Sequence, residues 1–297
     1  MSLTFPQLLN FVLQFADSFG FLVLSAIGLA VIFGMMGVIN LAHGEFITVG
    51  AYGTALSYHS GVPLVAAMAI GVGLTTVFGL VIEFTIVRKL YGRLLDSMVA
   101  TWGISLILIQ GLRVIFGSSL QSIGTPLGAI EYGPFSYSAY RLLLAGVSVA
   151  ILGGLYWMFT STSFGTRARA TIQDEEMSRS LGVDTNRMYL VTFAIGSGLA
   201  GLTGALYAPT MTLAPGMGST FLVEAFVTVV VGGTSVLVGT VGAGFVLGGV
   251  NAVFSNLFGT FAGRMALLGM TILAIRLLPS GVSGLVSQIR ERRKYGE

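Results

Sequence analysis

The chain has 297 residues, of which 54% are hydrophobic and only 9% are charged, and its formal net charge is +3. Soluble domains carry about 25% charged residues, so this composition excludes a globular protein with a water-exposed surface. The 42 glycines suit close helix packing in lipid, and the lack of cysteine excludes a disulfide framework and a thiolate nucleophile. We therefore predict an all-α polytopic integral membrane protein, with one transmembrane domain over residues 1–297.

Apolar runs long enough to cross a bilayer, which takes about 20 residues, recur along the chain. We predict about eight transmembrane helices, within a range of eight to ten, including broken or re-entrant segments. The full spans are residues 19–39, 62–87, 96–116, 140–160, 188–213, 220–238, 241–259 and 261–279. Residues 5–17 are expected to form a short interfacial helix, and residues 45–59 a half-helix. The loop 117–139 is rich in glycine, serine and proline and is expected to lie outside.

Most basic residues fall into three clusters, which indicate the orientation in the membrane. The clusters are Arg88, Lys89 and Arg93; Arg167, Arg169, Arg179 and Arg187; and Arg290, Arg292, Arg293 and Lys294. An even number of spans separates successive clusters, so all three are expected in the cytoplasm together with the C-terminus. Glu83 lies one turn before Arg88 and is expected to reach the same surface.

The motif "GVINLAHGEF" at residues 37–46 sets Asn40, His43 and Glu45 between two glycines. Glycine costs about 1 kcal/mol relative to alanine inside a helix, so this pattern predicts a helix that is broken at membrane depth. Such breaks occur against protein or a watery cavity, where free backbone groups can contact a ligand. Three interpretations follow: the side chains line a substrate pathway, they lock two helices together, or the segment is an exposed turn.

Sparse polar residues in later spans are further candidates for the substrate pathway. Thr101 and Ser105 share one helix face, a turn apart, and Trp102 lies beside them. Glu224 and Asn251 lie in two later spans, and a carboxylate inside the membrane indicates function by default. For the hydroxyls the alternative is a hydrogen bond to their own backbone or to a neighbouring helix.

The longest polar stretch, residues 162–189, lies on the predicted cytoplasmic side and contains a helix within 162–187. Thr166 is expected to cap its start, Gly182 to end it, and Asp184 to cap the next helix. Acidic and basic residues are balanced in number, whereas a lipid-binding strip is polybasic. This balance favours docking of a protein partner. An ordinary solvated helix is the alternative. The docking candidates are Arg167, Arg169, Asp174, Glu175, Glu176, Gly182 and Arg187.

No nucleotide-binding P-loop is present, because the two lysines of the chain, Lys89 and Lys294, are followed by Leu and Tyr rather than by Ser or Thr. ATP hydrolysis, if it drives the protein, must come from a separate subunit. With two histidines, no cysteine and no G-x-S-x-G motif, we predict neither catalytic residues nor a metal site, and an intramembrane hydrolase is disfavoured.

Over nearly its whole length the chain resembles a permease subunit of the branched-chain amino acid class of ABC importers. The resemblance rests on "GVINLAHGEFITVGAY" (37–52) and on residues 167–209, 230–248 and 275–285. Within that class, "YGRLLDSMVATWGISLIL" (91–108) and Asn251 are similar to the urea-transport branch. Two stretches depart from the usual pattern: "GGTSVLVG" (232–239) lacks a Gly-Gly-x-Gly, and "LLPSGVSG" (277–284) lacks a basic residue directly before its proline.

The resemblance implies a bacterial inner-membrane complex with a second, related permease, two ATPase subunits and a periplasmic substrate-binding protein. It implies that ATP and Mg are used by the ATPases, that this chain binds no cofactor, and that residues 167–187 form the coupling helix. Because several pathway candidates are neutral and polar, the leading expectation is uptake of urea or a similar small amide. The ionisable candidates keep branched-chain or other amino acids open as the alternative, and a passive urea channel is a third hypothesis.

Overall fold

The computed structural model describes residues 5–233 and 235–285, and it confirms the all-α prediction. The helices are α1 (Phe5–Met36), α2 (His43–His59), α3 (Leu64–Thr85), α4 (Leu94–Phe116), α5 (Ala139–Ser161), α6 (Ser163–Gln173), α7 (Glu175–Ser180), α8 (Thr185–Tyr207), α9 (Gly218–Gly232), α10 (Val236–Phe258) and α11 (Thr260–Leu277). Two 3₁₀ turns, Val87–Leu90 and Ala208–Thr210, follow α3 and α8. Strands β1 (Ala129–Tyr132) and β2 (Phe135–Ser138) form an antiparallel hairpin.

Within the described residues, seven helices are long and apolar enough to cross a membrane: α1, α3, α4, α5, α8, α10 and α11. Helix α9 is apolar but has only 15 residues. Helix α2 has 17 residues and matches the predicted half-helix. The chain is therefore a multi-pass membrane protein by the length and composition of its helices, as predicted.

The prediction of a separate interfacial helix over residues 5–17 is wrong, because α1 runs unbroken for 32 residues. Polar side chains near its start are bound by the segment 129–141 instead of ending the helix. Asp17 accepts hydrogen bonds from the Tyr137 hydroxyl (3.0 Å) and from Arg141 (2.9 Å), and Asn10 accepts one from Tyr132 (2.9 Å). A partly buried ion pair of this kind removes the need for Asp17 to reach water.

Contacts divide the chain into two compact units, each assembled from separate stretches. Among the described residues, 27–124 and 153–223 form one, called here the α8 unit, and 5–26, 125–152, 224–233 and 235–285 form the other, the α10 unit. Helices α1, α5 and α9 each contribute to both units.

In the α8 unit, helices α2, α3 and α8 approach one another closely through small residues. A Cβ atom built on Gly50 would lie 2.6 Å from the Cα of Gly201, and one built on Gly71 would lie 2.5 Å from the Gly50 carbonyl oxygen. Glycine allows backbones to meet in this way, which is how helices associate in lipid. Aromatic rings fill the remaining space, with Phe46 edge-on to Phe193.

In the α10 unit, Leu22 of α1 packs with Val231, Leu247 and Leu267 from α9, α10 and α11. The two stretches that depart from the family pattern contact each other here. The Ser235 amide donates to the Ser283 hydroxyl at 3.4 Å, and a Cβ on Gly233 would lie 2.5 Å from the Ser280 carbonyl oxygen. The departures therefore occur at one shared glycine-rich contact.

Candidate functional site

The helix break predicted from the glycine-flanked motif is present between α1 and α2. Helix α1 ends at Met36, residues 37–42 are irregular, and α2 begins at His43. Gly37 has a φ of +62°, a left-handed conformation that glycine adopts without strain. Gly44 lies in the first turn of α2, where a Cβ would come 2.7 Å from the carbonyl carbon of Gly218.

The three polar residues of the motif are buried, so the interpretation as an exposed turn is wrong. Asn40 and His43 are 0% exposed and Glu45 is 1% exposed. Taking such groups out of water costs free energy unless hydrogen bonds replace those with water. The segment, which we call the break (residues 37–45), therefore needs partners inside the protein.

Helix α4 supplies some of these partners through the face that the sequence singled out. The Leu41 amide donates to the Thr101 hydroxyl at 3.0 Å, and that hydroxyl lies 2.7 Å from the Ser97 carbonyl oxygen and 3.3 Å from that of Ile39. Thr101 is 0% exposed.

One turn further along α4, the Ser105 hydroxyl lies beside the Glu45 side chain. Thr101 therefore attaches α4 to the break, and Ser105 lies next to it, which accords with the interpretation as a lock between helices.

Two polar atoms of the break have no hydrogen-bond partner among the described residues: Asn40 Nδ2 and Glu45 Oε2. The other end of the Asn40 amide is occupied, because its Oδ1 accepts from the Ala42 amide at 3.0 Å. Leaving a buried polar atom unpaired costs about 1–3 kcal/mol, and more when the group is charged. Asn40 Nδ2 and Glu45 Oε2 are therefore a donor and an acceptor that the described residues leave unpaired inside the protein.

Of the remaining pathway candidates, Trp102 faces away from the break, and Asn251 and Glu224 lie in the α10 unit. Trp102 is 56% exposed, because adjacent helix residues point about 100° apart and only Thr101 faces the break. Asn251 accepts from Ser255 (2.9 Å) within α10. Glu224 has a side chain only 6% exposed, and its carboxylate lies 3.3 Å from the Arg264 guanidinium. Sequence reasoning missed Arg264, although a lone cation in an apolar span was the available signal.

The predicted cytoplasmic helix is two helices, so the prediction of one helix within 162–187 is wrong. Asp174 separates α6 from α7 with an extended backbone (φ −155°, ψ 105°), and its side chain accepts from the Met177 amide at 2.9 Å. Aspartate caps a helix start well, because its carboxylate satisfies a free amide there. The cap of α6 is Thr162, which accepts from the Gly165 amide at 3.2 Å, rather than the predicted Thr166.

The predicted end of this segment is confirmed. Gly182 has a φ of +87°, and the amides of Gly182 and Val183 bond back to the carbonyl groups of Arg179 and Ser178, each at 3.0 Å. These two backbone hydrogen bonds form the pattern with which a helix usually ends at a glycine. Asp184 then caps α8 by accepting from the Arg187 amide at 3.0 Å.

The paired helices α6 and α7 present a surface of mixed charge with apolar side chains on it. Ile172, Met177 and Leu181 are 47%, 58% and 78% exposed, whereas Ala168 is buried. The exposed docking candidates are Arg167, Arg169, Asp174, Glu176, Gly182 and Arg187, and Glu175 is half-buried. Arg169 also donates to the Phe159 carbonyl oxygen near the end of α5. We call this surface, residues 163–182, the docking pair.

Comparison with known proteins identifies the class of this chain. Residues 11–276 match the family described as branched-chain amino acid transport system / permease component. The chain belongs to this family of permease components. No solved structure matches it.

The chain is 29% identical over 278 residues to the high-affinity branched-chain amino acid transport system permease protein BraD of Pseudomonas aeruginosa, which covers 88% of this chain and 91% of that protein. It is 26% identical to permease protein LivH of Escherichia coli K12, over 88% and 90% of the two chains. A probable LivH of Methanocaldococcus jannaschii is 25% identical, over 89% of each. These relatives confirm the permease class, and they do not support the urea branch.

Proposed function

We propose that this chain is the permease subunit of an ATP-driven importer of branched-chain or other amino acids. The observation that carries the proposal is the family match over residues 11–276, together with relatives named for branched-chain amino acid transport. Because the chain has no P-loop, two partner ATPase subunits would hydrolyse ATP with Mg. A second related permease and a periplasmic binding protein would complete a complex in the inner membrane.

The chemistry of the break supports an amino acid as the substrate. An α-amino acid carries a carboxylate, which accepts hydrogen bonds, and an ammonium group, which donates them. Asn40 Nδ2 can donate to the carboxylate and Glu45 Oε2 can accept from the ammonium. The substrate would thereby supply the hydrogen bonds that these two buried atoms lack within the described chain.

The docking pair supports coupling to a separate ATPase. Three apolar side chains, Ile172, Met177 and Leu181, are exposed next to charges of both signs. A surface that combines apolar contact with mixed charge suits a protein partner. We propose that an ATPase subunit binds to this surface, and that nucleotide binding by the ATPase moves the docking pair.

Uptake by the purified complex tests the proposal directly. The complex, reconstituted in proteoliposomes with its binding protein outside and ATP inside, is expected to accumulate labelled leucine. Removal of ATP, or replacement of the ATPase subunits by versions that cannot hydrolyse it, is expected to abolish accumulation. A complex that binds ATP and its binding protein but carries no amino acid against a gradient would contradict the proposal.

Urea is the second candidate, and one observation favours it. The urea-like run 91–108 contains Thr101 and Ser105, whose neutral hydroxyls are the groups of α4 that contact the break. Labelled urea in the same proteoliposomes separates the two substrates, since only the transported one should stimulate ATP hydrolysis. Urea equilibration without ATP or partners would instead indicate a passive channel.

A further inference from the structure

We propose that Tyr189 and Tyr91 are positioning residues that join α7 to the ends of α8 and α3, and thereby pass movement of the docking pair to the helices around the break. This inference rests on the proposed function, because it concerns how an ATPase would act on the permease. It concerns residues that lie outside both candidate sites. The contacts all lie within the α8 unit.

The first link joins α7 to the start of α8. Glu175 uses both carboxylate oxygens: one lies 2.6 Å from the Arg179 guanidinium, and the other accepts from the Tyr189 hydroxyl at 3.0 Å. Arg179 also donates to the Thr185 hydroxyl at 3.0 Å, in the first turn of α8. Helix α7 is therefore held to α8 by two side chains a turn apart, rather than by a flexible loop alone.

The second link joins α8 to the end of α3. The Tyr189 and Tyr91 rings meet edge to face, with centroids 4.9 Å apart and an angle of 67°. The Tyr91 hydroxyl donates to the carboxylate of Glu83, which is only 1% exposed. The expectation that Glu83 reaches the cytoplasmic surface is therefore wrong. Burial, and then Glu83, raise the pKa of Tyr91, so this tyrosine remains a hydrogen-bond donor at neutral pH.

Helix α8 continues from these links to the break. Gly196 lies seven residues after Tyr189, or about 10 Å along the helix axis. A Cβ on Gly196 would come 2.8 Å from the Gly28 carbonyl oxygen of α1, and a Cβ on Gly28 would come 3.0 Å from the His43 ring. Closely packed interiors transmit displacement because they have little free volume. A shift of α8 at Tyr189 therefore displaces the backbone beside the break.

Both hydroxyls in this chain of contacts have a specific partner, which makes tyrosine-to-phenylalanine changes informative. Y189F removes the bond to Glu175 and keeps the ring against Tyr91, and Y91F removes the bond to Glu83 and keeps the same ring pair. Y156F is the matched control, because Tyr156 lies on α5 and its side chain is 62% exposed.

The test measures leucine carried per ATP hydrolysed by the whole reconstituted complex, alongside basal ATPase activity and the amount of assembled complex. We expect Y189F and Y91F each to lower the transport ratio by about 2- to 10-fold, the factor that one net hydrogen bond gives. Basal hydrolysis and assembly should equal those of Y156F. The double variant should lose little more than either single variant, because the two contacts act in series.

A wild-type transport ratio in both single variants would overturn the inference. So would a loss of transport that only follows a loss of assembled complex, since that outcome indicates a purely structural role. Failure of the proposed function is distinguishable from both, because the unaltered complex itself would then show no ATP-dependent uptake.

Discussion

The break separates α1 from α2, and the docking pair is divided at Asp174, yet the two regions differ in which groups they bury. The break buries polar groups, whereas the docking pair exposes apolar ones. In the break, Asn40 and Glu45 are buried and each leaves one polar atom without a partner among the described residues. In the docking pair, Asp174 and Glu175 are engaged by capping and ion pairing, whereas apolar side chains are exposed. Unpaired polar atoms in the protein interior suit a small polar ligand, and exposed apolar side chains on the surface suit a protein partner.

Glycine marks both regions, but for two different physical reasons. Gly37 and Gly182 have positive φ values, and a Cβ atom on either would meet no described atom within 4 Å, so their backbone conformation alone requires glycine. Gly44 has an ordinary helical backbone but no room, since Gly218 backbone atoms occupy the Cβ position. Substitutions can therefore separate crowding from backbone strain.

The largest effect is expected for Gly44→Val in the break. Both contacting groups are backbone atoms, so no side-chain rotation can relieve the overlap, and overpacking of this kind costs about 1–3 kcal/mol or more. The yield of assembled complex and its thermal unfolding midpoint should both fall. Gly73→Ala, on an exposed part of α3 with no described atom within 4 Å of its new methyl group, is the control and should unfold at or above the wild-type temperature. Normal assembly of Gly44→Val would mean that α2 does not pack against Gly218 in the membrane.

A smaller effect is expected for Thr101→Val, which keeps the shape of the side chain and removes its hydroxyl. The partly buried Leu41 amide then loses its acceptor, at a cost of about 1 kcal/mol. Thermal unfolding of the purified complex measures the loss, and uptake measures its effect on the break. Thr85→Val serves as the comparison, because that exposed hydroxyl bonds to its own helix. Equal unfolding temperatures for the two variants would count against α4 holding the break in place.

Gly182→Ala tests the docking pair with an intermediate effect. A non-glycine residue in the left-handed region costs about 1 kcal/mol, which here acts on the end of α7 and not on the membrane helices. The affinity for the ATPase subunit should fall about 5-fold, and the unfolding temperature of the permease should hold. Binding of the ATPase subunit to immobilised, detergent-purified permease measures this affinity. Gly37→Ala provides the converse case, where transport should suffer while ATPase binding remains normal.

The smallest effect is expected for Asp96→Asn at the entrance of α4. Its ion pair with Arg93 is exposed on both sides, at 64% for the arginine and 49% for the aspartate, and exposed pairs contribute about 0–1 kcal/mol. Uptake and stability should match the wild type closely. A loss of transport as large as that of Thr101→Val would show that this end of α4 contacts a partner or substrate.

Much of the fold could be predicted from the sequence because continuous apolar runs and glycine-flanked breaks are local signals. The spans, the half-helix α2 and the helix end at Gly182 all follow from residues near one another in the chain. The error at the start of the chain arises from distant contacts. Asp17 suggested a helix end, but residues more than a hundred positions away bind it and let α1 continue.

The candidate site was less predictable, because its partners come from distant parts of the chain. Periodicity placed Thr101 and Ser105 on one face, but it could not show that this face meets the break. Asp174 was recognised as a charge, not as the cap that divides α6 from α7. No local pattern links Tyr91 to Tyr189, which contact each other across almost one hundred residues.

The most direct test of the central claim, that the break lies on the substrate pathway, uses the absence of cysteine in the chain. Asn40→Cys introduces a single thiol at the break, and its rate of modification by a small polar thiol reagent can be followed in the complete complex. We expect modification that slows when the binding protein delivers leucine and that changes between the nucleotide-free and ATP-bound states. A thiol that stays inert in every state, while an exposed control such as Glu131→Cys reacts, would contradict the account.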